Sequence, residues 1–354
     1  MLPSSDAAQP IPRSYQFVLF CVGGAWYLAS DTIAGRAARG ISSRFGFGSL
    51  RGLLAGCFTL FLLVVGLRLL DWIATRDGSL ATVAPLPRRE GYGTEWGLGT
   101  AFGWGLAIAV VLPVMLTGHL VVNYVFNLST FGALLTGIAT LAVATLTQEI
   151  VFRGYLFLRL SGAIGPAWAT LLLSIVFGFY LMQIPAIGSA TPLFAVSILF
   201  GVLLFMAYRR THALWLGWGL NFAYRAVVAI LFGLPIAGRA EFSSIIDSDT
   251  TGSVRVSGGE FGPDAALLTI PIMLVALIVL YRLTREYAWK YTLPVIVAGG
   301  YEVTVAPPAA HTAMERQAAA APPPLVQILA TTPQTRSVEP PPMPFSPPPP
   351  PKPE

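Results

Sequence analysis

The sequence predicts an all-α protein, a multi-pass transmembrane helical bundle of about seven or eight spans, and three observations predict it. Hydrophobic residues fill 55% and charged residues only 11% of the 354 positions, where an ordinary soluble domain carries roughly 25% charged. So few charges cannot cover a water-facing surface. The apolar residues also come in blocks of about 18 to 25, the length a helix needs to cross about 30 Å of hydrocarbon. Finally, the arginines gather beside these blocks, where they meet lipid head groups and help set orientation. The net charge of +5 is accounted for in that way and not by nucleic-acid binding.

The predicted spans are Tyr15–Ser30, Leu53–Ala74, Gly99–Val125, Phe131–Phe152, Pro166–Met182, Pro192–Tyr208, Leu214–Leu234 and Ala265–Leu283. Backbone polar groups inside lipid need internal partners, so all of these are expected to be helices. The first is short enough to lie in the interface instead of crossing. Its stretch Phe17–Ala29 also has the look of a signal-peptide core, although Arg13 alone makes a poor basic flank. Cys21 and Cys57 both sit in apolar segments, which predicts packing thiols and neither a disulfide framework nor a thiolate metal cluster.

Three regions follow: residues 1–48 with a short apolar helix, a helical membrane domain over 49–290, and a tail over 291–354. The tail turns to Pro, Ala and Thr and ends in the prolines Pro347–Pro351. Such a stretch cannot bury a core and is expected to be disordered or polyproline II, with docking to a proline-reading partner as the alternative. No internal repeat is apparent.

Orientation follows from the basic loops. Arg76, Arg88, Arg89, Arg159, Arg209, Arg210, Arg282, Arg285 and Lys290 fall on the side of the C-terminus, which predicts a cytoplasmic C-terminus, in the plasma membrane. The acidic loop with Glu241, Asp247, Asp249, Glu260 and Asp264 is then outside. Arg36, Arg39, Arg44 and Arg51 dissent, because they fall outside too.

Charged residues within a span are costly, and each calls for a functional hypothesis. The fourth span ends in Thr147-Gln148-Glu149-Ile150-Val151-Phe152-Arg153-Gly154-Tyr155. Glu149 and Arg153 can pair along one helix face. Taken alone, they also read as an ordinary helix-end ion pair near the interface.

The stretch resembles the first motif, E-E-x-x-x-R, of the CAAX prenyl endopeptidase and bacteriocin-processing family of intramembrane proteases. Arg210-Thr211-His212-Ala213-Leu214-Trp215 is similar to that family's R-T-G-S-L-W, which leads to its third motif. Leu231-Phe232-Gly233-Leu234-Pro235 and Gly258-Gly259-Glu260-Phe261-Gly262-Pro263-Asp264 also look like stretches of bacterial members. The resemblance covers roughly Leu53–Leu283. It implies peptide-bond hydrolysis inside the membrane, by glutamate and histidine side chains around a water, with or without a metal.

That chemistry needs a base and donors for the oxyanion, and this chain departs from the pattern at most positions. The first glutamate falls on Gln148, an amide that cannot take a proton; the second glutamate and the arginine remain as Glu149 and Arg153. The second motif, F-x-x-x-H, falls on Phe177 to Leu181, anchored by Pro185, so leucine replaces its histidine. A frame starting at Phe179 puts Gln183 there, which supplies no base either. The third, H-x-x-x-N, falls on Asn221 to Arg225, with Asn221 for histidine and Arg225 for asparagine.

The chain's three histidines, His119, His212 and His311, fall on no motif. Neither a metal nor a cofactor is therefore expected. Arg225 would cost about 2.5–3.5 kcal/mol unpaired in lipid, so Glu149 is expected to face it across the former cavity, unless its head snorkels to an interface.

These residues predict a pseudoenzyme, its former site between the fourth, fifth and seventh spans. Its expected partners are the lipid bilayer and another membrane protein or a lipidated peptide. The alternatives are an active endopeptidase rebuilt on Glu149, with Asn221 and Gln148 as donors, and a small transporter. A transporter predicts a polar stripe along several spans, whereas the polar residues here concentrate at the motif positions.

Overall fold

A computed structural model of the chain describes residues 11–76, 79–124, 127, 130–182, 191–236, 242, 245–251 and 253–287. The proposed tail, with His311 and Lys290, and the positions Gln183, Pro185 and Glu241 lie outside the described residues.

The chain builds helices α1 (Arg13–Phe45), α2 (Arg51–Thr75), α3 (Leu80–Val83) and α4 (Tyr92–Leu116), and then a strand, β1 (Leu120–Tyr124). Helix α5 (Phe131–Glu149) runs through a wide π-helical turn, Ile150–Tyr155, into α6 (Leu156–Ile164). Helices α7 (Pro166–Met182), α8 (Thr191–Thr211) and α9 (Trp215–Ala226) follow, α9 ending in a second π turn, Val227–Leu231. Strand β2 (Ile246–Thr250), the short α10 (Val254–Ser257) and α11 (Thr269–Leu283) complete the fold. Among the described residues, five helices are long and apolar enough to cross a membrane, and Pro166–Leu181, Trp215–Leu231 and Thr269–Leu283 are shorter apolar ones. Leu28, Phe61, Leu116 and Trp168 are among many large apolar side chains left on the outside, as a lipid-facing surface requires.

Two expected segments differ from what forms. The first helix has 33 residues instead of a short stretch, and it is tied to the bundle: Trp26 Nε1 donates to Leu62 O of α2 at 3.0 Å. The third span stops at Leu116 and does not reach Val125. Pro113 weakens its last turn, Gly118 takes a left-handed φ of 73°, and Leu120–Tyr124 pairs antiparallel with Ile246–Thr250, Asn123 opposite Asp247. A short run such as Leu-Val-Val-Asn-Tyr reads equally as helix end or strand by periodicity alone. Cys21 and Cys57, expected to pack, are exposed on the outward helix faces.

Helices α4 and α9 approach most closely. A Cβ on Gly99 or Gly103 would collide with the carbonyl oxygens of Leu216 or Leu220, and one on Gly219 would collide with Trp96 O. Small residues let two backbones touch, and such packing drives helix association where lipid competes for apolar contact. This contact fixes α9, and with it Asn221 and Arg225.

Buried ion pairs tie the helix ends. Asp71 of α2, fully buried, pairs with Arg159 of α6, which also donates to Gln16 Oε1 of α1 at 3.2 Å. Arg89 binds Glu95 through Nε at 3.0 Å and Nη2 at 2.8 Å, and reaches Thr211 O at 2.6 Å. Both arginines counted as loop cations are thus partly consumed by structural pairs.

His212 occupies a left-handed turn, φ 50°, between α8 and α9, at the position where the similar motif has glycine. Burial, with Arg89 and Arg209 nearby, holds its imidazole below the ordinary value. A non-glycine residue pays about 1–2 kcal/mol in this backbone region, so His212→Gly should raise stability in detergent by up to about 1 kcal/mol after the greater unfolded-state freedom of glycine is subtracted. Gly103→Ala should lower it by about 1–3 kcal/mol through overpacking. Thermal unfolding of the detergent-solubilised protein reads both.

Candidate functional site

The motif positions gather where α5 meets α9, at the level of the π turn. Ile150–Tyr155 winds wider than an α-helix, and Gly154 inside it departs from helical geometry at φ −85°, ψ −109°. A Cβ there would crowd Val83 O, so the kink lets α3 close against the turn. Single π turns of this kind mark functional sites in many helices.

Glu149 and Arg153 are both fully buried and stand 3.4 Å apart. The protein encloses the pair completely, at the end of α5. The Arg153 guanidinium lies 4.4 Å from the ring centre of Phe177 and 4.8 Å from that of Phe205. The stacked rings supply attraction that the loose ion pair lacks, about 2 kcal/mol or more for a desolvated cation. Arg153 Nε and Nη2 and Glu149 Oε2 have no hydrogen-bond partner among the described residues, so charge and stacking hold the pair.

Asn221 links this pair to the other motif positions. Its Nδ2 donates to Glu149 Oε1 at 3.0 Å and to Gln148 Oε1 at 3.3 Å, while its Oδ1 accepts from Arg225 Nε at 2.8 Å. The expected direct pairing of Glu149 with Arg225 is therefore corrected: the two are joined through an amide. The reason is geometric, since Glu149 already faces Arg153 one turn along its own helix. Nor does Arg225 snorkel out; it is 7% exposed.

Asp264, which was expected in an external loop, shares a small pocket with Arg225. Gly258 and Gly262 adopt φ of 79° and 80°, and a side chain on Gly262 would collide with Pro235 O. These turns fold the loop back onto α9, where the Tyr224 hydroxyl donates to Asp264 Oδ1. Leu181, at the second motif's histidine position, lines one small pocket with Tyr224, Arg225 and Asp264. Five of the six motif positions are thus linked directly by hydrogen bonds or ion pairs, and Leu181 joins them through this pocket.

A cavity of about 280 Å³ opens on the other side of Arg225. Gln148, Thr147, Tyr180 and Arg225 line it together with Asp31 of α1 and Thr59 of α2. Asp31 is the site residue that motif reading missed. It lies one residue beyond the first predicted span and outside every motif, and only the charge itself could have drawn notice. Its carboxylate accepts from Thr59 Oγ1 at 3.5 Å, a weak bond.

Toward the ends of α1 and α2 the cavity meets a groove of about 560 Å³; the two share Gly52, Ala55, Thr140 and Phe242, and Arg39 and Arg51 stand at the groove's outer part. His119 lies in the turn between α4 and β1, and neither it nor His212 lines the cavity. An amide, an arginine-bound carboxylate, a leucine, a second amide and a guanidinium do not make a divalent-metal donor set.

Residues 130–227 match the family model described as Type II CAAX prenyl endopeptidase Rce1-like. Over those residues the chain is Rce1-like. The segment includes Gln148, Glu149, Arg153, Leu181, Asn221 and Arg225, whereas Asp31, Thr59 and Asp264 come from outside it. No curated protein and no solved structure matches the chain.

Removing one partner from a buried pair costs about 3–5 kcal/mol, because the other charge remains. Glu149→Gln should therefore destabilise the solubilised protein by about that amount, and the double change Glu149→Leu with Arg153→Met should recover most of it. Thermal unfolding of the single and double variants checks the coupling.

Proposed function

We propose that this CAAX protease-like membrane protein does not carry out the family's hydrolysis and instead binds a membrane partner, another membrane protein or a lipidated chain, through the inherited cavity. The observation that supports this is the state of Glu149. The retained carboxylate is fully buried, is held by Arg153 and Asn221, and does not line the cavity. A base in that position can neither meet a water in the cavity nor release its arginine without stranding a buried cation. For the same reason an active site rebuilt on Glu149 is disfavoured. The orientation that goes with this reading places the C-terminus in the cytoplasm and the protein in the plasma membrane.

A second reading is favoured by Asp31. A carboxylate on the cavity wall can take a proton from water, and Arg225 across from Gln148 can face a developing oxyanion. The protein would then be a hydrolase whose base has moved from α5 to α1.

One assay separates the two. The purified protein in liposomes is incubated with prenylated and unprenylated peptides, beside Gln148→Glu and Asp31→Asn variants. The binding reading expects no cleavage by the natural protein and none gained by Gln148→Glu. Cleavage that Asp31→Asn abolishes overturns it and establishes the hydrolase.

A further inference from the structure

The cavity brings together a nearly buried cation, Arg225, and an exposed acid, Asp31. Only Nε of Arg225 is hydrogen-bonded, to Asn221, and no carboxylate among the described residues is within ion-pairing distance of its guanidinium. Asp264 shares the small pocket with Arg225 but already accepts the Tyr224 hydroxyl. The nearly buried guanidinium borders the cavity, and a charge so placed calls for an anion.

The cavity is also lined by Asp31, an exposed residue whose one side-chain hydrogen bond among the described residues is the long one from Thr59. A plain anion would be drawn by Arg225 and repelled by Asp31, and a plain cation the reverse. The complementary guest carries both charges. A cavity of about 280 Å³ has room for a phosphoethanolamine group, with its roughly eight heavy atoms.

We propose that the cavity binds a phosphoethanolamine-type zwitterion, its phosphate on Arg225 and its ammonium on Asp31. Guanidinium forks match phosphate oxygens, and a primary ammonium gives Asp31 the strong donors that Thr59 does not. Arg39 and Arg51, in the groove that meets the cavity, favour the approach of the phosphate. The source is either the headgroup of a bilayer lipid or the free solute. This inference rests on the reading of the cavity as a binding site, and headgroup retention is measured without any peptide, so its failure is distinguishable from the outcome of the cleavage assay.

Full-length protein in nanodiscs or detergent is tested by native mass spectrometry and thermal shift with phosphatidylethanolamine, phosphatidylcholine and phosphatidylglycerol. The expected result is at least tenfold stronger retention of phosphatidylethanolamine, since trimethylation removes the ammonium donors of the choline lipid and the glycerol lipid has no cation. Asp31→Asn, on the cavity wall and in no ion pair, should keep the fold and reduce that preference below twofold. Arg225→Gln should weaken all three lipids. Free phosphoethanolamine that displaces the lipid assigns a soluble source, and intact lipid binding without displacement assigns the bilayer. Equal retention of the ethanolamine and choline lipids, or an unchanged preference in Asp31→Asn, overturns the proposal.

Discussion

A fully buried arginine governs this fold. The Arg153 guanidinium cannot reach water, so its surroundings must supply what hydration would. Glu149 brings the opposite charge, and the rings of Phe177 and Phe205, from α7 and α8, bring their faces. Three helices are thereby drawn to one point. The π turn that starts at Ile150 keeps both charges inward, and Asn221 extends the network to Arg225 on α9. The residues that read as a catalytic motif also tie these helices together.

Asp264 and Asp31 bear on the same network from outside the Rce1-like segment. The glycine-rich loop sets Asp264 on one side of Arg225, and α1 sets Asp31 on the cavity side. The family-like helices therefore frame the hollow, while residues from other regions set its charge. A reading confined to the matched segment would describe an inert, positively biased cavity; the complete one is zwitterionic.

Much of this was legible in the chain. The long apolar blocks gave helices in the expected order, because hydrocarbon thickness dictates their length, and the motif spacing brought Gln148, Glu149, Asn221 and Arg225 into one cluster. What escaped has physical causes. The Leu120–Tyr124 strand is too short for its periodicity to separate it from a helix end, and its partner lies far along the chain. The partners of Arg225 depend on which side-chain directions α5 and α9 present, and sequence spacing within one helix does not report that. Asp264 read as a solvated loop acid, since nothing local tells that left-handed glycines will fold its loop back onto α9. Arg159 and Arg89 read as head-group cations, although each had a carboxylate waiting in a neighbouring element.

The backbone contact between α4 and α9 has a consequence for biogenesis. The two helices touch through Gly99, Gly103 and Gly219, yet α5 through α8 are threaded between them in the chain. During synthesis α4 enters the bilayer long before its mate leaves the ribosome, with a glycine-lined face that no neighbour yet covers. Assembly of the core is for that reason a late, post-insertional event. Until it occurs, the half-built protein presents a distinctive surface to the chaperones and proteases that police nascent membrane chains.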